Sequence, residues 1–538
     1  MKMKKAAFRN FIAVAVAVGL AFALAACGKS KTSGVDSGKP KYVNIAITND
    51  PGTVNPLATN NVMGTHITGI LYLPLAAQNE ELKFSYRLAE NINTTDNRIF
   101  TIKINPKVKW TDGTPVTADD VVFTFNAYTN PKTSYRDPSA YGVIVGTNTA
   151  GLLPEGETTL SGVKKIDNYT LTVEVKYPIT LDIFNLTIGS IRTLPKHIAE
   201  PAGLENLLKS DLLQNPKVTN GPFKFKEYVP GQYLAFTANP DYFLGAPKLD
   251  ELNFKILPGT QITAQLESGE VDINFPLVGN IPNDDYDRIR SLTNIHTKQG
   301  LPSNIQVVFL NSKVIDNLKV RQAISLAIDR ESILKNVLKG EAYISRTPVT
   351  NQIQYWNEGA ARPVYDLERA KQLISESGWD LSKRLVFSLP TGNTTRERVG
   401  AIIAEALRGI GLNVVIERAD LATTLGHVQK CEYDISIIGM PDVPLNIVSY
   451  LRVYASTRYT WTNYSNPRAD ALVETIMTSV DDNVLKSSYY ELQQLIADEV
   501  SVTGVYSELA LRGINNRIVY GDLAEYGALL DLEKWDVK

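Results

Sequence analysis

Apolar and polar positions alternate in short runs along the first half of the chain. Phe100-Thr-Ile-Lys-Ile104 has the two-residue period of a half-buried strand, and Asp112-Gly113 behind it marks a turn. Thr117-Ala-Asp-Asp120 has the form of a capping box, with a hydroxyl for first-turn amides and an acid where the helix dipole favours an anion. It predicts a helix carrying Val121 to Tyr128. Two hairpins are predicted, one across Asp167-Asn168 between Ile166 and Thr170-Leu-Thr-Val-Glu-Val175. The other crosses Pro230-Gly231 between Phe223-Lys-Phe225 and Leu234-Ala-Phe236.

The period lengthens in the second half. Val320, Ala323, Ile324, Ala327, Ile328, Leu334, Val337 and Leu338 recur at helical spacing, with Gly340 as a left-handed stop. Asp366 caps a helix with Leu367, Ala370, Leu373 and Ile374 on one face and Gly378 at its end. A third helix runs from Val399 to Ile410, is ended by Gly411 and is followed by the strand-like Val414-Val-Ile416. Two more are predicted around Leu472 to Val480 and Leu485 to Val500. Helix, tight glycine and strand in succession predict crossover units over a mixed sheet, an α/β fold.

The start of the chain follows a different pattern. Lys2, Lys4, Lys5 and Arg9 precede an uncharged apolar run, Phe11 to Ala26, shorter than the roughly 20 residues a membrane-spanning helix needs. This is the form of a secretory signal. Its end, Leu24-Ala-Ala-Cys27, resembles the bacterial lipobox, which makes residues 1–26 a lipoprotein signal peptide and Cys27 the lipid carrier. Residues 27–41, rich in Gly, Ser and Lys, have almost nothing to bury and read as a flexible tether. Gly28-Lys29-Ser30 is no phosphate loop, because Ala23 stands where that motif needs its first glycine.

Composition narrows the chemistry. Of 538 residues 44% are hydrophobic and 21% charged, a globular balance. The net charge of −2 becomes −6 when the signal, with its four cations and no acid, is removed, so nothing favours nucleic acid as a partner. Cys27 and Cys431 provide no disulfide framework, and Cys431 is expected to be a buried free thiol. His66, His197, His296 and His427 match no zinc spacing, so no metal and no cofactor is expected. Ser161-Gly-Val-Lys164 lacks the partner motifs of a Ser-x-x-Lys hydrolase, and Gly-x-Ser-x-Gly and His-Glu-x-x-His are absent. The chain reads as a binding protein, not an enzyme.

Eight matches in order resemble the solute-binding proteins of peptide-type ABC importers. They begin with Asn49-Asp-Pro-Gly-Thr-Val-Asn-Pro56 and Leu71-Tyr-Leu-Pro-Leu75. The most specific is Trp110-Thr-Asp-Gly-Thr-Pro-Val-Thr-Ala-Asp-Asp-Val-Val-Phe123. Gly221-Pro-Phe, Tyr242-Phe243, Val320-Arg-Gln-Ala323 with Ala327-Ile-Asp-Arg330, Tyr365-Asp366 with Gly378-Trp379, and Asn463-Tyr-Ser-Asn-Pro467 with Asp470 follow. Most have scaffold readings: Arg321 and Asp329, for instance, form a partly buried ion pair or make surface contacts. The resemblance implies a two-lobed periplasmic-binding-protein fold with mixed sheets, a hinge cleft and a subdomain inserted in the first lobe. Residues 42–69, 193–298 and 504–538 would form lobe one, 70–192 the inserted subdomain and 299–503 lobe two, with hinge crossings near 296–304 and 500–506.

The resemblance also implies the partners: an oligopeptide or dipeptide in the cleft, ABC permease subunits, and the membrane through lipid at Cys27. The protein would be a monomer at the outer face of the cytoplasmic membrane or in the periplasm. A peptide would lie extended as an added strand, its ammonium on a carboxylate. Tyr433-Asp-Ile-Ser-Ile-Ile-Gly439 resembles the lobe-two strand before the family's amine anchor, which makes Asp442 the candidate, or else a turn former between prolines. Ile437 stands where the best-known oligopeptide binder has an arginine for peptide carboxylates. Trp461, Tyr459 and Tyr450, in a cluster with Tyr454 and Tyr464, could line the cleft or pack in the core. Asn393 could hold an anion or cap a helix. The alternatives are the same fold holding an oligosaccharide or another small solute, or a ligand-sensing lipoprotein.

Overall fold

The structure, a computed structural model, describes residues 40–59, 61–276, 278–360, 365–441, 444–458 and 460–538. The signal, Cys27 and the tether up to residue 39 lie outside the described residues, as do Asp442 and Tyr459. Residues 41–538 form one compact unit built on two large sheets.

The first sheet has seven strands, in the order Ile295–Gln299, Leu511–Asn515, Ile273–Asn274, Tyr42–Ile47, Glu251–Ile256, Tyr233–Ala238 and Phe223–Val229. Tyr42–Ile47 is parallel to both neighbours, so its carboxyl end opens where the chain reverses, the usual ligand side of such sheets. Both predicted hairpins are present. Thr170–Glu174 joins Val163–Lys165 within a separate four-stranded sheet that also contains Ala89–Asn93 and Ile99–Ile104. The capping-box helix spans Ala118–Thr129, and the Asp120 carboxylate accepts from the amides of Thr117 at 2.8 Å and Lys196 at 3.0 Å.

The second sheet runs Ala342–Ile344, Val502–Glu508, Asn304–Leu310, Ile435–Pro441, Arg384–Pro390 and Asn413–Ala419. Its faces carry separate cores. Val308, Leu310 and Ile437 point into one and Val307, Phe309 and Ile438 into the other, which is why Asn304–Leu310 and Ile435–Pro441 read as unbroken apolar runs.

Three expectations change. The periodic stretch from Val320 to Leu338 is two helices, Leu318–Ala327 and Arg330–Asn336, because Asp329 caps the second by accepting from the Ser332 amide at 2.9 Å. The buried Arg330 guanidinium takes the carbonyls of Ser325 and Ile328 at 3.2 Å, acceptors that a continuous helix would have used. Arg321 pairs with Glu499 at 3.3 Å rather than with Asp329. The second change concerns the crossings between sheets. One lies between Gln299 and Asn304 as expected, but the return comes after Glu508. Gly504 is inside a strand, where a Cβ would stand 1.9 Å from the Thr347 carbonyl oxygen, so this glycine allows close packing rather than a hinge. Cys431 is a free thiol, half-buried rather than buried, and burial pushes its pKa up.

Candidate functional site

In the second sheet Arg384–Pro390 is parallel to both Asn413–Ala419 and Ile435–Pro441, so three carboxyl ends meet at one edge. Asn304 pairs with Pro441 and Ile305 with Ser507, which brings the start of lobe two and the end of Val502–Glu508 to that edge as well. Pro390 and Pro441, the last residues of two of these strands, therefore both end at that edge.

The strand Ile435–Pro441 is paired unevenly. All seven residues pair with Asn304–Leu310, but on the other side only Ile435 and Ser436 pair with Phe387 and Ser388. From Ile437 to Pro441 it has a ladder on one side alone. Such an edge presents main-chain donors and acceptors to an added strand.

Polar atoms gather at the same edge without partners. They are Arg396 Nε, Tyr506 OH, Ser507 Oγ, Glu508 Oε1 and Gln306 Oε1, all buried. Burial pushes the Glu508 carboxyl up while Arg396 opposes it, and burial lowers the Arg396 guanidinium against the pull of Tyr506 and Glu508. Gly439 makes room here, since a Cβ would meet Asn304 Oδ1 at 2.6 Å and Gln306 Nε2 at 2.7 Å.

A cavity of about 730 Å³ lies between the subdomain loops around Ser139–Val143 and Lys176–Thr187 and the helices of the second sheet. Its size suits a short peptide or a molecule of comparable bulk. The aromatic wall is Tyr355 stacked on Tyr489 at 5.4 Å, and Tyr177 also lines it. The Tyr355 hydroxyl donates to Asp482, and burial together with that bond raises its pKa. Lys176 Nζ donates to the Gly142 carbonyl at 2.6 Å and the Thr147 hydroxyl at 3.2 Å, a contact that orders the subdomain side.

The residues singled out from sequence fare unequally. Asn393 is a helix cap: its Oδ1 accepts from the Arg396 amide at 2.8 Å at the start of Thr394–Gly409. Trp461 is half-buried against Phe309 at 6.2 Å, its amide donates to the Val453 carbonyl, and its own carbonyl accepts from the Tyr433 hydroxyl. It does not line the cavity. Tyr450 is half-buried against the same core, and Tyr454 and Tyr464 are buried in it. Tyr355 and Tyr489 were not singled out. The run Gln354-Tyr-Trp356, between turn-forming residues, is a local signal for Tyr355 alone.

Among the described residues no group of three His, Cys, Asp or Glu side chains could hold a metal ion, and no helix is long and apolar enough to cross a membrane.

The family model of the bacterial extracellular solute-binding proteins, family 5 Middle, matches residues 83–461. The oligopeptide-binding protein AppA of Bacillus subtilis (strain 168) is 29% identical over 543 residues, covering 94% of each chain. The structure of Bacillus subtilis AppA in complex with a nonapeptide superposes with a TM-score of 0.75 at 25% identity, over 93% of this chain and 100% of that one. The ABC transporter substrate binding protein CtaP from Listeria monocytogenes does so with a TM-score of 0.78 at 25% identity and the same coverage.

Proposed function

The chain belongs to the bacterial extracellular solute-binding proteins of family 5, and from that premise we propose that it captures oligopeptides or dipeptides outside the cytoplasm for the permease of an ABC importer. The family supplies solutes to importers and is not one of enzymes. AppA, similar over nearly the whole length, is an oligopeptide-binding protein, and its structure holds a nonapeptide. Lobe one comprises residues 42–69, 193–298 and the chain beyond the crossing that follows Glu508, with 70–192 as its inserted subdomain and 299–508 as lobe two. Closure follows from ligand contacts with both lobes, because only differential contact shifts an open–closed equilibrium. The monomeric protein is tethered to the membrane by lipid on Cys27.

The observation that carries the peptide reading is the half-paired strand Ile437–Pro441. An extended ligand adds to this edge through its own amides, so affinity depends little on side chains. Its amino terminus then comes to the segment after Pro441, where the Asp442 carboxylate accepts from the ammonium. The unpartnered Gln306, Ser507 and Glu508 atoms supply further polar contacts at the same edge. An oligosaccharide would use the stacked Tyr355 and Tyr489 but would leave the strand edge without a complementary ladder.

The test uses degenerate nonapeptide pools with free or acetylated amino termini, read by mass spectrometry of the peptides retained. Acetylation should lower retention about 10- to 100-fold, the worth of one charge-assisted contact. Asp442→Asn should remove most of that difference. Equal retention of both pools by the unaltered protein would exclude the anchor, and retention of oligosaccharides alone would overturn the peptide reading.

A further inference from the structure

The cavity of about 730 Å³ has two walls from different parts of the chain, and each carries apolar side chains. Ile179 and Ile183 line it from the subdomain, and Val448, Met477 and the stacked Tyr355 and Tyr489 from the second sheet's helices and loops. Ile179 is packed into the core of the first sheet and its subdomain, Val448 and Tyr489 into one core of the second sheet. Close packing behind each wall therefore fixes its shape.

The donors on these walls are largely engaged within the protein. Lys176 Nζ has three hydrogens and three acceptors: the Gly142 carbonyl at 2.6 Å, the Thr147 hydroxyl at 3.2 Å and the Asn148 carbonyl at 3.4 Å. The Thr187 hydroxyl donates to the Ile183 carbonyl at 2.6 Å and the Ser449 hydroxyl to the Asn446 carbonyl at 2.8 Å. Arg452 Nε donates to the Ser449 carbonyl at 3.3 Å, and the Tyr355 hydroxyl donates to Asp482. The lining charges balance, Lys176 and Arg452 against Asp182 and Asp482, and both acids are exposed. A polar ligand group gains little from donors already spent, whereas an apolar one is taken out of water by whichever wall it meets.

The cavity is close to the half-paired strand. Leu445 and Asn446 line it four and five residues beyond Pro441, where that strand ends. The Gln354 amide, beside Tyr355, donates to the Pro444 carbonyl at 2.9 Å and ties the aromatic wall to the same segment. Five residues of chain reach at most about 18 Å, the length of about five residues of extended ligand. A peptide whose ammonium is held just after Pro441 therefore has the cavity within reach of its first few side chains.

We propose that this cavity is a selective side-chain pocket that takes one bulky apolar or aromatic residue near the amino end of the captured peptide. The inference rests on the peptide reading and deepens it: the strand edge alone accepts any sequence, and the pocket restricts one position. A residue that touches the subdomain and lobe two at once also favours the arrangement that brings them together, so selection acts through closure as well as through burial.

The test sequences, by mass spectrometry, the nonapeptides retained from a random pool. In the unaltered protein one position among about the first five should be enriched about tenfold in Phe, Tyr, Leu, Ile and Met over Ser, Asn and Gln. Ile183→Ser and Met477→Ser, one half-buried residue from each wall, should each lower that enrichment about threefold and leave the other positions unchanged. Should either not fold, Val480→Asp, at an exposed lining residue, should lower it as much. Peptides retained with no position favoured overturn the pocket and leave the peptide reading standing, whereas retention of no peptide overturns both. Enrichment that every folded variant keeps places selection elsewhere and overturns the pocket. Enrichment in Lys or Arg at that position assigns selection to Asp182 and Asp482 and overturns it as well.

Discussion

Arg330 and Arg192 are both guanidiniums with no carboxylate within ion-pair distance among the described residues, but one is buried and the other half-exposed, and the chain satisfies them differently. Arg330 is 5% exposed and gives every nitrogen an acceptor: Nε to the Gly504 carbonyl at 2.8 Å, Nη1 to the carbonyls of Ser325 and Ile328, and Nη2 to the Thr503 hydroxyl at 2.9 Å. Burial lowers its pKa to about 10, and it stays charged at neutral pH. Arg192 is half-exposed, with one good acceptor in the Ser190 carbonyl at 2.9 Å and a weak one in the Thr65 carbonyl at 3.4 Å. A buried cation whose donors are saturated by main-chain oxygens stitches a helix break to a strand. One that stays half-exposed can leave its remaining terminal donors to water.

If that contrast is right, the largest effect belongs to the saturated arginine. Arg330→Ala strands the Gly504, Ser325 and Ile328 carbonyls in the core and opens a cavity, and should cost about 3–5 kcal/mol of unfolding free energy, read from the urea midpoint. Arg330→Lys should recover little, because one ammonium cannot span four acceptors. A loss below about 1 kcal/mol would remove the distinction between the two sites.

A cavity of about 210 Å³ lined by His66 and Arg192 makes a smaller, pH-dependent prediction through His66. Its pKa is lowered to about 4 in the fold, against 6.5 in the unfolded chain, by burial first and by Arg192 second. The folded state therefore resists a proton that the unfolded chain accepts. Its contribution is complete above pH 6.5 and is lost as pH falls to about 4, by at most about 3 kcal/mol. His66→Gln should flatten the melting-temperature profile over that window. The variant, compared with the unaltered chain, separates this term from the carboxylates that titrate below it. A profile that keeps its slope in His66→Gln would mean that the pocket is not dry.

Local signals were legible in the sequence where cause and effect are close along the chain. Asp366 accepts from the Arg369 amide and Gly378 ends the same helix in the left-handed region, each within a turn of the apolar stripe that announces it. The break at Ile328-Asp329 was hidden because both short helices pack on one core, so the apolar period continues through it. The aromatic wall was hidden by distance, since Tyr355 and Tyr489 meet only after the intervening strands and helices have folded. Trp461 was chosen for the company of other rings. Its neighbour Phe309, on the core side of a strand, turns it inward.

The smallest effect falls on Asn393, next to another buried guanidinium, that of Arg396. Its Oδ1 accepts from the Arg396 amide while Glu397 reaches back to the Gly392 amide at 3.0 Å, so the two side chains close the helix start from both directions. Asn393→Ala should then cost about 1 kcal/mol and Asn393→Asp almost nothing, since an acid caps as well and suits the helix dipole. Peptide retention should stay within about twofold in both, because a capping oxygen already engaged by an amide has little left for a ligand. Arg396, two residues into the helix, has its Nε unpartnered beside Glu508 at the half-paired strand edge, and the cap fixes where that nitrogen points. A retention loss of tenfold or more with stability unchanged would therefore move Asn393 from the scaffold side of the comparison to the ligand side and bring Arg396 with it.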